Sequence, residues 1–339
     1  MTPRAGRRPT NRYPSRCARP AERVSGQRLY KIITPIGHNR SLRSGHAVLC
    51  TEQGSARPML IAQISDLHIQ ADAAGDENSG RLQHVVRYLR KTPFRPDMLV
   101  ISGDMTEDGR PDSYERLREI VAPIEVPILL AVGNHDRRAA FLSVFPETPV
   151  ADGFVQYAVD LGDRRIVVLD TLEEGSDGGA FCDARADWLR RTLEARPDAE
   201  TLVVLHHPPT LTGIAWMDIH PDDAWTRRLA AVIRDHPQVV ALIAGHVHRP
   251  IAMAWQGRTL TTTSSTAPQV ALDLRAIDPE EPDERALIVD ELPGLAWHRW
   301  TATGLATHFD LVDDPMTIVR FDQRHQRMIR ELTRLTPSS

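Results

Sequence analysis

An α/β fold is what this sequence predicts, on three observations. Short apolar strands alternate with amphipathic helices from Met59 onward. Aspartate, asparagine and histidine recur where those strands end. The composition is that of a globular chain: 41% of the 339 residues are hydrophobic and 25% charged, enough to bury a core and against disorder throughout.

The strands are read from apolar runs at Met59–Ile64, Met98–Ile101, Ile128–Val132, Val155–Leu161, Arg165–Leu169, Thr201–Leu205 and Val239–Ile243. Helices lie between them. Leu82, Val85, Val86 and Leu89 share one helix face, and so do Tyr114, Leu117 and Ile120. Trp188, Leu189 and Leu193 mark a third helix; Trp225, Leu229, Val232 and Ile233 mark a fourth. Gly162-Asp163-Arg164 joins two strands as a hairpin, so the sheet is expected to be partly antiparallel. After Thr266 the pattern weakens. Asp273–Arg285 is acidic and broken by prolines, as a loop is. Ala286–Val289, Gly294–Trp300 and Leu305–Leu311 read as short strands at a sheet edge, and 322–339 as a helix that frays. The expected organisation is an N-terminal extension over 1–58, a catalytic domain over 59–268, and C-terminal strands over 269–339 that complete the sheet or cap it.

Charge divides the chain. Residues 1–50 hold eleven Lys and Arg against Glu22 alone, +10. With a formal net charge of −4 overall, the remainder is −14, which repels nucleic acid and concentrates cations. The extension is Arg-rich and acid-poor like a transit peptide but lacks the apolar core of a secretory signal. A disordered tail, or an upstream start codon with the true start at Met59, is the preferred reading. No run approaches the ~18 apolar residues of a membrane span. Cys17, Cys50 and Cys182 form neither a disulfide framework nor a thiolate zinc site, which suits a cytoplasmic protein.

The chemistry gathers at strand ends, where open α/β sheets build their binding crevices. Strand one ends in Asp66-Leu67-His68, strand two in Gly103-Asp104, strand three in Gly133-Asn134-His135-Asp136. Later strands end in His206-His207-Pro208-Pro209 and Gly245-His246-Val247-His248. In extended backbone, Asp66 and His68 would point the same way, and so would His246 and His248. Asp, Asn and His ligands suit Mn, Fe, Zn or Co better than Ca or Mg. There are too many for one ion, so two ions sharing a carboxylate is the natural count, a centre that generates hydroxide from a bridging water for displacement at phosphorus.

Together these motifs resemble the calcineurin-like metallophosphoesterase superfamily, over roughly Met59 to Pro268. Ile64–His68, Arg95-Pro96-Asp97, Gly109-Arg110-Pro111 with Tyr114, and Met217-Asp218 are similar to the bacterial class III cyclic-nucleotide phosphodiesterases and glycerophosphodiesterases. The resemblance implies a four-layer αββα sandwich with two facing mixed sheets. It implies that Asp66, His68, Asp104 and His248 hold one divalent ion, and that Asn134, His206 and His246 complete a second site with Asp104 bridging. His135 would stabilise the transition state or protonate the leaving alkoxide, and Asp136 would orient its surroundings. His207, Trp216, Met217 and Arg249 are candidate substrate contacts.

The implied activity is hydrolysis of a small phosphodiester, 3',5'-cyclic AMP or a glycerophosphodiester. A phosphomonoesterase is the alternative, because Arg137, Arg138 and Arg249 flank the motifs and such enzymes bind a dianionic phosphoryl group with arginines. A non-catalytic scaffold with a basic tether is a weaker reading, since no ligand position is lost. No specific nucleic acid is expected as a partner. A homodimer or higher homo-oligomer is compatible with the family.

Overall fold

The computed structural model describes residues 57–218 and 222–334. The expected N-terminal extension, apart from Arg57 and Pro58, lies outside the described residues.

The first half of the fold is built from β1 (Met59–Ile64), α1 (Asp76–Lys91), β2 (Met98–Ser102), α2 (Pro111–Val121), β3 (Ile128–Ala131) and α3 (Arg138–Val144). The second half runs β4 (Tyr157–Leu161), β5 (Arg164–Val168), α4 (Asp183–Glu194), β6 (Glu200–Val204), α5 (Ala224–Arg234) and β7 (Val239–Ala244). Then come β8 (Ile251–Trp255), β9 (Arg258–Thr262), β10 (Gln269–Val270), β11 (Ile288–Val289), β12 (Gly294–Thr301), β13 (Gly304–Leu311) and α6 (Gln326–Arg334).

Two mixed sheets result. One has the order β13-β12-β1-β2-β3, the other β4-β5-β6-β7-β9-β8. β1, β2 and β3 are parallel, while β12 runs antiparallel along β1, with Met59 opposite Trp300. β12 and β13 therefore belong to the same sheet as the first strand, whereas β11, in the run expected at the sheet edge, pairs with β10 in a two-stranded sheet of its own. The hairpin around Gly162 pairs β4 with β5 antiparallel. The β8–β9 hairpin was not foreseen from the sequence. Its signal is Gln256-Gly257, both with positive φ, the geometry of a type I′ turn.

Period-2 alternation explains the layers. In β2, Leu99 and Ile101 face α1, α2 and α3, while Met98 and Val100 face the other sheet. In β6, Val203 packs toward α4 and α5, while Leu202 and Val204 face inward. Three apolar cores thus separate four layers, helix, sheet, sheet, helix. Trp300 fills the inter-sheet core and is fully buried, its indole N–H donating to Glu200 at 2.9 Å.

Candidate metal centre

Each sheet delivers its candidate residues from the loops that follow its strands. Asp66 and His68 follow β1, Asp104 follows β2, Asn134 to Asp136 follow β3, His206 follows β6, and His246 and His248 follow β7. The residues thus come from both sheets and meet at one end of the sandwich.

The backbone that aims them differs from the extended one expected. Asp66, His68, Asp104, His246 and His248 all have positive φ, between 45° and 73°. That is the left-handed region, costly for side chains with a Cβ and concentrated at functional sites. In each Asp/His-x-His motif the middle residue, Leu67 or Val247, is fully buried as core. Left-handed residues on either side of an apolar anchor turn the two polar side chains together, which β alternation was expected to do. Crowding demands glycine beside them: Gly103 has φ +109°, and a Cβ there would sit 2.3 Å from His206 Nδ1.

The side chains form two sets that share Asp104. In the first, His68 Nε2 lies 3.1 Å from His248 Nε2 and 3.8 Å from Asp104 Oδ2, and His248 Nε2 lies 3.5 Å from Asp66 Oδ1. In the second, Asn134 Oδ1 lies 3.1 Å from both His206 Nε2 and His246 Nδ1, and His206 Nε2 is 3.2 Å from Asp104 Oδ2. Two donors on one cation at ~2.1 Å sit about 3.0–3.4 Å apart at octahedral to tetrahedral angles, so the separations of 3.1 and 3.2 Å fit shared ions, while those of 3.5 and 3.8 Å call for wider angles.

Hydrogen bonding fits them further. His248 Nδ1 donates to Pro268 O at 2.9 Å, and His206 Nδ1 donates to Ser102 O at 2.9 Å. His68 Nδ1 donates to Glu107 Oε2 at 2.6 Å. A neutral ring whose Nδ1 donates leaves only a lone pair on Nε2. As neutral rings, His68 and His248 would therefore aim lone pairs at each other, and His206 would aim one at two acceptor oxygens. Such an arrangement is favourable only around positive charge. The electrostatics agree. Burial pulls the His206 ring down, but Asp104 and Asp66 outweigh it and raise it to about 9. Burial pushes Asp104 up, and His206, His68 and His135 outweigh that, holding it well below the usual carboxylate range. His246, buried beside His206, is lowered to about 3.

His135 and Asp136 play different parts. His135 lines the open cleft, and its Nδ1 donates to Glu107 O at 3.1 Å. Its backbone N–H holds Asp104 Oδ1 at 2.9 Å. Asp136 is fully buried and gathers the loops by accepting from Tyr114 Oη (2.9 Å), Gly133 N (2.8 Å), Met105 N and Thr106 N. Burial and the charge of Asp104 raise it to about 6.

The cleft has a volume of about 730 Å³. Trp216 and Met217 line it, across from Val270 and Ile288. The other two candidate contacts are corrected by the structure. His207 is fully buried, with Nδ1 2.8 Å from Thr171 Oγ1 and its ring against His206 and His246, so it wedges those rings rather than meeting a ligand in the cleft. Arg249 is turned onto Glu291, with Nη1 and Nη2 at 2.8 and 2.9 Å, and onto Val270 O. Two contributors were missed. Glu107, three residues after Asp104, reaches both His68 and His135, its Oε2 3.4 Å from His135 Nδ1. Its only sequence signal was that spacing. Asp170, just after β5, is fully buried and takes a bidentate bond from Arg138 at 2.7 Å, tying the loop after β3 to the other sheet.

Comparison with known proteins follows the same line. The chain is 31% identical over 257 residues to a probable glycerophosphodiester phosphodiesterase, GpdQ, of Arcobacter nitrofigilis, covering 74% of this chain and 92% of that one. It is 30% identical over 275 residues to the 3',5'-cyclic adenosine monophosphate phosphodiesterase CpdA of Pseudomonas aeruginosa, covering 78% and 94%. Among solved structures, a dimetal phosphatase from Danio rerio shares the fold, with a TM-score of 0.50 and 17% identity over 75% of this chain and 99% of that one. The family model of the calcineurin-like phosphoesterases matches residues 59–250, the stretch that carries every residue of both donor sets. With the two-sheet fold and a centre suited to divalent metals, this chain belongs to the calcineurin-like phosphoesterases and is a hydrolase of the metallophosphoesterase kind.

Proposed function

We propose that the protein hydrolyses small phosphodiesters, 3',5'-cyclic AMP or glycerophosphodiesters, at a dinuclear centre. The observation that carries this reading is the pair of donor sets sharing Asp104 on a cleft whose lining, among the described residues, contains neither Lys nor Arg. Asp66, His68, Asp104 and His248 would hold one divalent ion; Asp104, Asn134, His206 and His246 would hold the other. Bound ions would supply the charge that acidifies water near neutral pH and neutralises phosphoryl oxygens.

The chain's own groups do the rest. Glu107, Pro268 O and Ser102 O fix which ring nitrogen of His68, His248 and His206 faces the centre. His135 stands at the cleft with Nδ1 donating to Glu107 O, so Nε2 is the nitrogen that would give a proton to the departing alkoxide, from the doubly protonated ring. The diester reading is favoured over the monoester one because all three flanking arginines are committed. Arg138 is on Asp170, Arg249 on Glu291, and Arg137 on the carbonyls of Asn134 and Asp136. Two of these charges are paired, and none of the three arginines lines the cleft where a second phosphoryl charge would sit.

The test is a set of kcat/KM values for metal-reconstituted enzyme on cyclic AMP, glycerophosphoethanolamine and a phosphomonoester. Faster turnover of the monoester than of either diester would overturn the reading. In the same assay, His135→Ala is expected to slow alkyl diesters by about 10²–10⁴-fold and activated aryl diesters far less. Equal loss on both would remove its role as acid.

A further inference from the structure

In the layer between the two sheets, β1 presents Ile61 and then Gln63, two residues apart on one face. Ile61 belongs to the apolar inter-sheet core with Val100, Leu202 and Ile243. Gln63 is fully buried as well, and an amide there is costly unless it is hydrogen-bonded. Its two N–H groups and its oxygen all have partners. Nε2 donates to Ser102 Oγ at 2.8 Å and to Ala244 O at 2.9 Å, and Oε1 accepts from His298 Nε2 at 2.9 Å. Ala244 O can only accept, which fixes the end of the amide that faces it and gives the other end to the ring N–H of His298.

The partners stand at the ends of strands that deliver the donors. Gln63 lies three residues before Asp66 on β1, Ser102 two before Asp104 at the end of β2, and Ala244 two before His246 at the end of β7. β1 and β2 belong to one sheet and β7 to the other. Ser102 passes the hold onward: its Oγ donates to Ile64 O at 3.4 Å, and its own carbonyl accepts from His206 Nδ1 at 2.9 Å. Beyond Ala244, Gly245 N donates to His206 O at 3.0 Å, and His246 N donates to the Asp66 carboxylate at 3.0 and 3.2 Å.

We propose that Gln63 is a positioning residue for the metal centre, a staple between the sheets that sets how far the donors of one stand from those of the other. It touches no ion itself. Asp66, His68, Asp104 and Asn134 follow strands of the first sheet, and His206, His246 and His248 follow strands of the second. Each donor set mixes the two, so the centre is only as well placed as the joint between the sheets. Apolar contacts tolerate a small slide of one sheet over the other. Hydrogen bonds weaken steeply with distance and angle, and a fully satisfied buried amide therefore fixes the joint. The role rests on the metal centre proposed above, though on neither donor set in particular, because each spans the joint.

Competition between the Mn2+-loaded full chain and a chelator of known affinity tests it, with folding followed by circular dichroism. Gln63→Met keeps the length of the side chain and donates nothing. It should weaken Mn2+ binding by about 10–100-fold, the usual effect of removing a group that orients ligands. Ser102→Ala removes one of the two acceptors and keeps the carbonyl that holds His206, so it should weaken binding less. The double variant should bind no worse than Gln63→Met, because both changes act through one set of hydrogen bonds. Trp300→Ala loosens the same inter-sheet core at its other end and is the control: it should unfold more readily and hold Mn2+ as the native chain does. Unchanged affinity in Gln63→Met, losses that add in the double variant, or an equal loss in Trp300→Ala overturns the proposal. If Gln63→Met does not fold, Ser102→Ala decides, and unchanged affinity there overturns it. A native chain that holds one Mn2+ per copy overturns the dinuclear reading alone, since the loss in Gln63→Met is then scored on that ion.

Discussion

The two ends of the sandwich are built on opposite terms. At the site end, five side chains sit on left-handed backbone, ring nitrogens of His68 and His248 face each other, and Asp66, Asp104, His206 and His246 are buried together. At the far end, Arg164 lies over the Trp300 ring and donates to Trp300 O, while the indole donates to Glu200. There the indole N–H and Arg164 Nη1 find acceptors and the apolar atoms find neighbours, while Arg164 Nε stays 3.9 Å from Glu200. The contrast teaches where strain is tolerated: the apolar cores elsewhere hold the loops so firmly that their ends can be aimed against local preference.

Four substitutions break or sharpen this contrast. The largest effect is expected from Asp104→Ala, the one side chain common to both donor sets. Activity should fall by about 10³-fold or more while the fold persists, checked by kcat/KM beside the circular dichroism spectrum. At the far end the order reverses. Trp300→Ala should cost about 3–5 kcal/mol of stability, read from urea unfolding, with kcat of the folded enzyme unchanged. Glu107→Gln keeps an acceptor for His68 but removes the charge. Metal affinity should drop about 10–100-fold by isothermal titration, and an unchanged affinity would deny Glu107 any hold on the centre.

The smallest effect lies between the two ends. His298 is buried within the first sheet, its Nε2 donating to Gln63 Oε1 at 2.9 Å and its Nδ1 accepting from Thr307 Oγ1. Burial lowers it to about 3, against an ordinary 6.5. The folded chain therefore stays neutral there while the unfolded chain takes a proton below pH 6.5. Stability is lost as pH falls from 6.5 toward 3, by up to about 1.4 kcal/mol per pH unit, and nothing is lost above that window. His298→Gln should flatten that part of the urea midpoint profile measured between pH 7.5 and 5.

Much of the fold was legible because burial writes a period into the chain. The alternation of Leu99, Val100 and Ile101 marks a strand buried on both faces, and Leu82, Val85, Val86 and Leu89 mark one helix face, whatever the rest of the molecule does. The residues of the donor sets were legible too, since Asp, Asn and His at successive strand ends serve no packing purpose. The β8–β9 hairpin was harder to see, because only one of β8's five residues is buried and its signal is one turn. Arg249 illustrates a different limit: nothing beside it in sequence tells that Glu291, 42 residues later, takes its charge.

By itself the sequence determined which residues are apolar, at what period, and which ligand types stand at the strand ends. These are local properties, set by side-chain chemistry and backbone repeat. Only the tertiary structure decided that β12 lies along β1, that Asp104 serves two sets at once, and that His207 is walled in behind His206. Those facts depend on loops returning from distant strands, and on left-handed backbone at five positions that no local preference favours. Long-range packing selects such conformations because the cores on either side leave the side chains one place to meet.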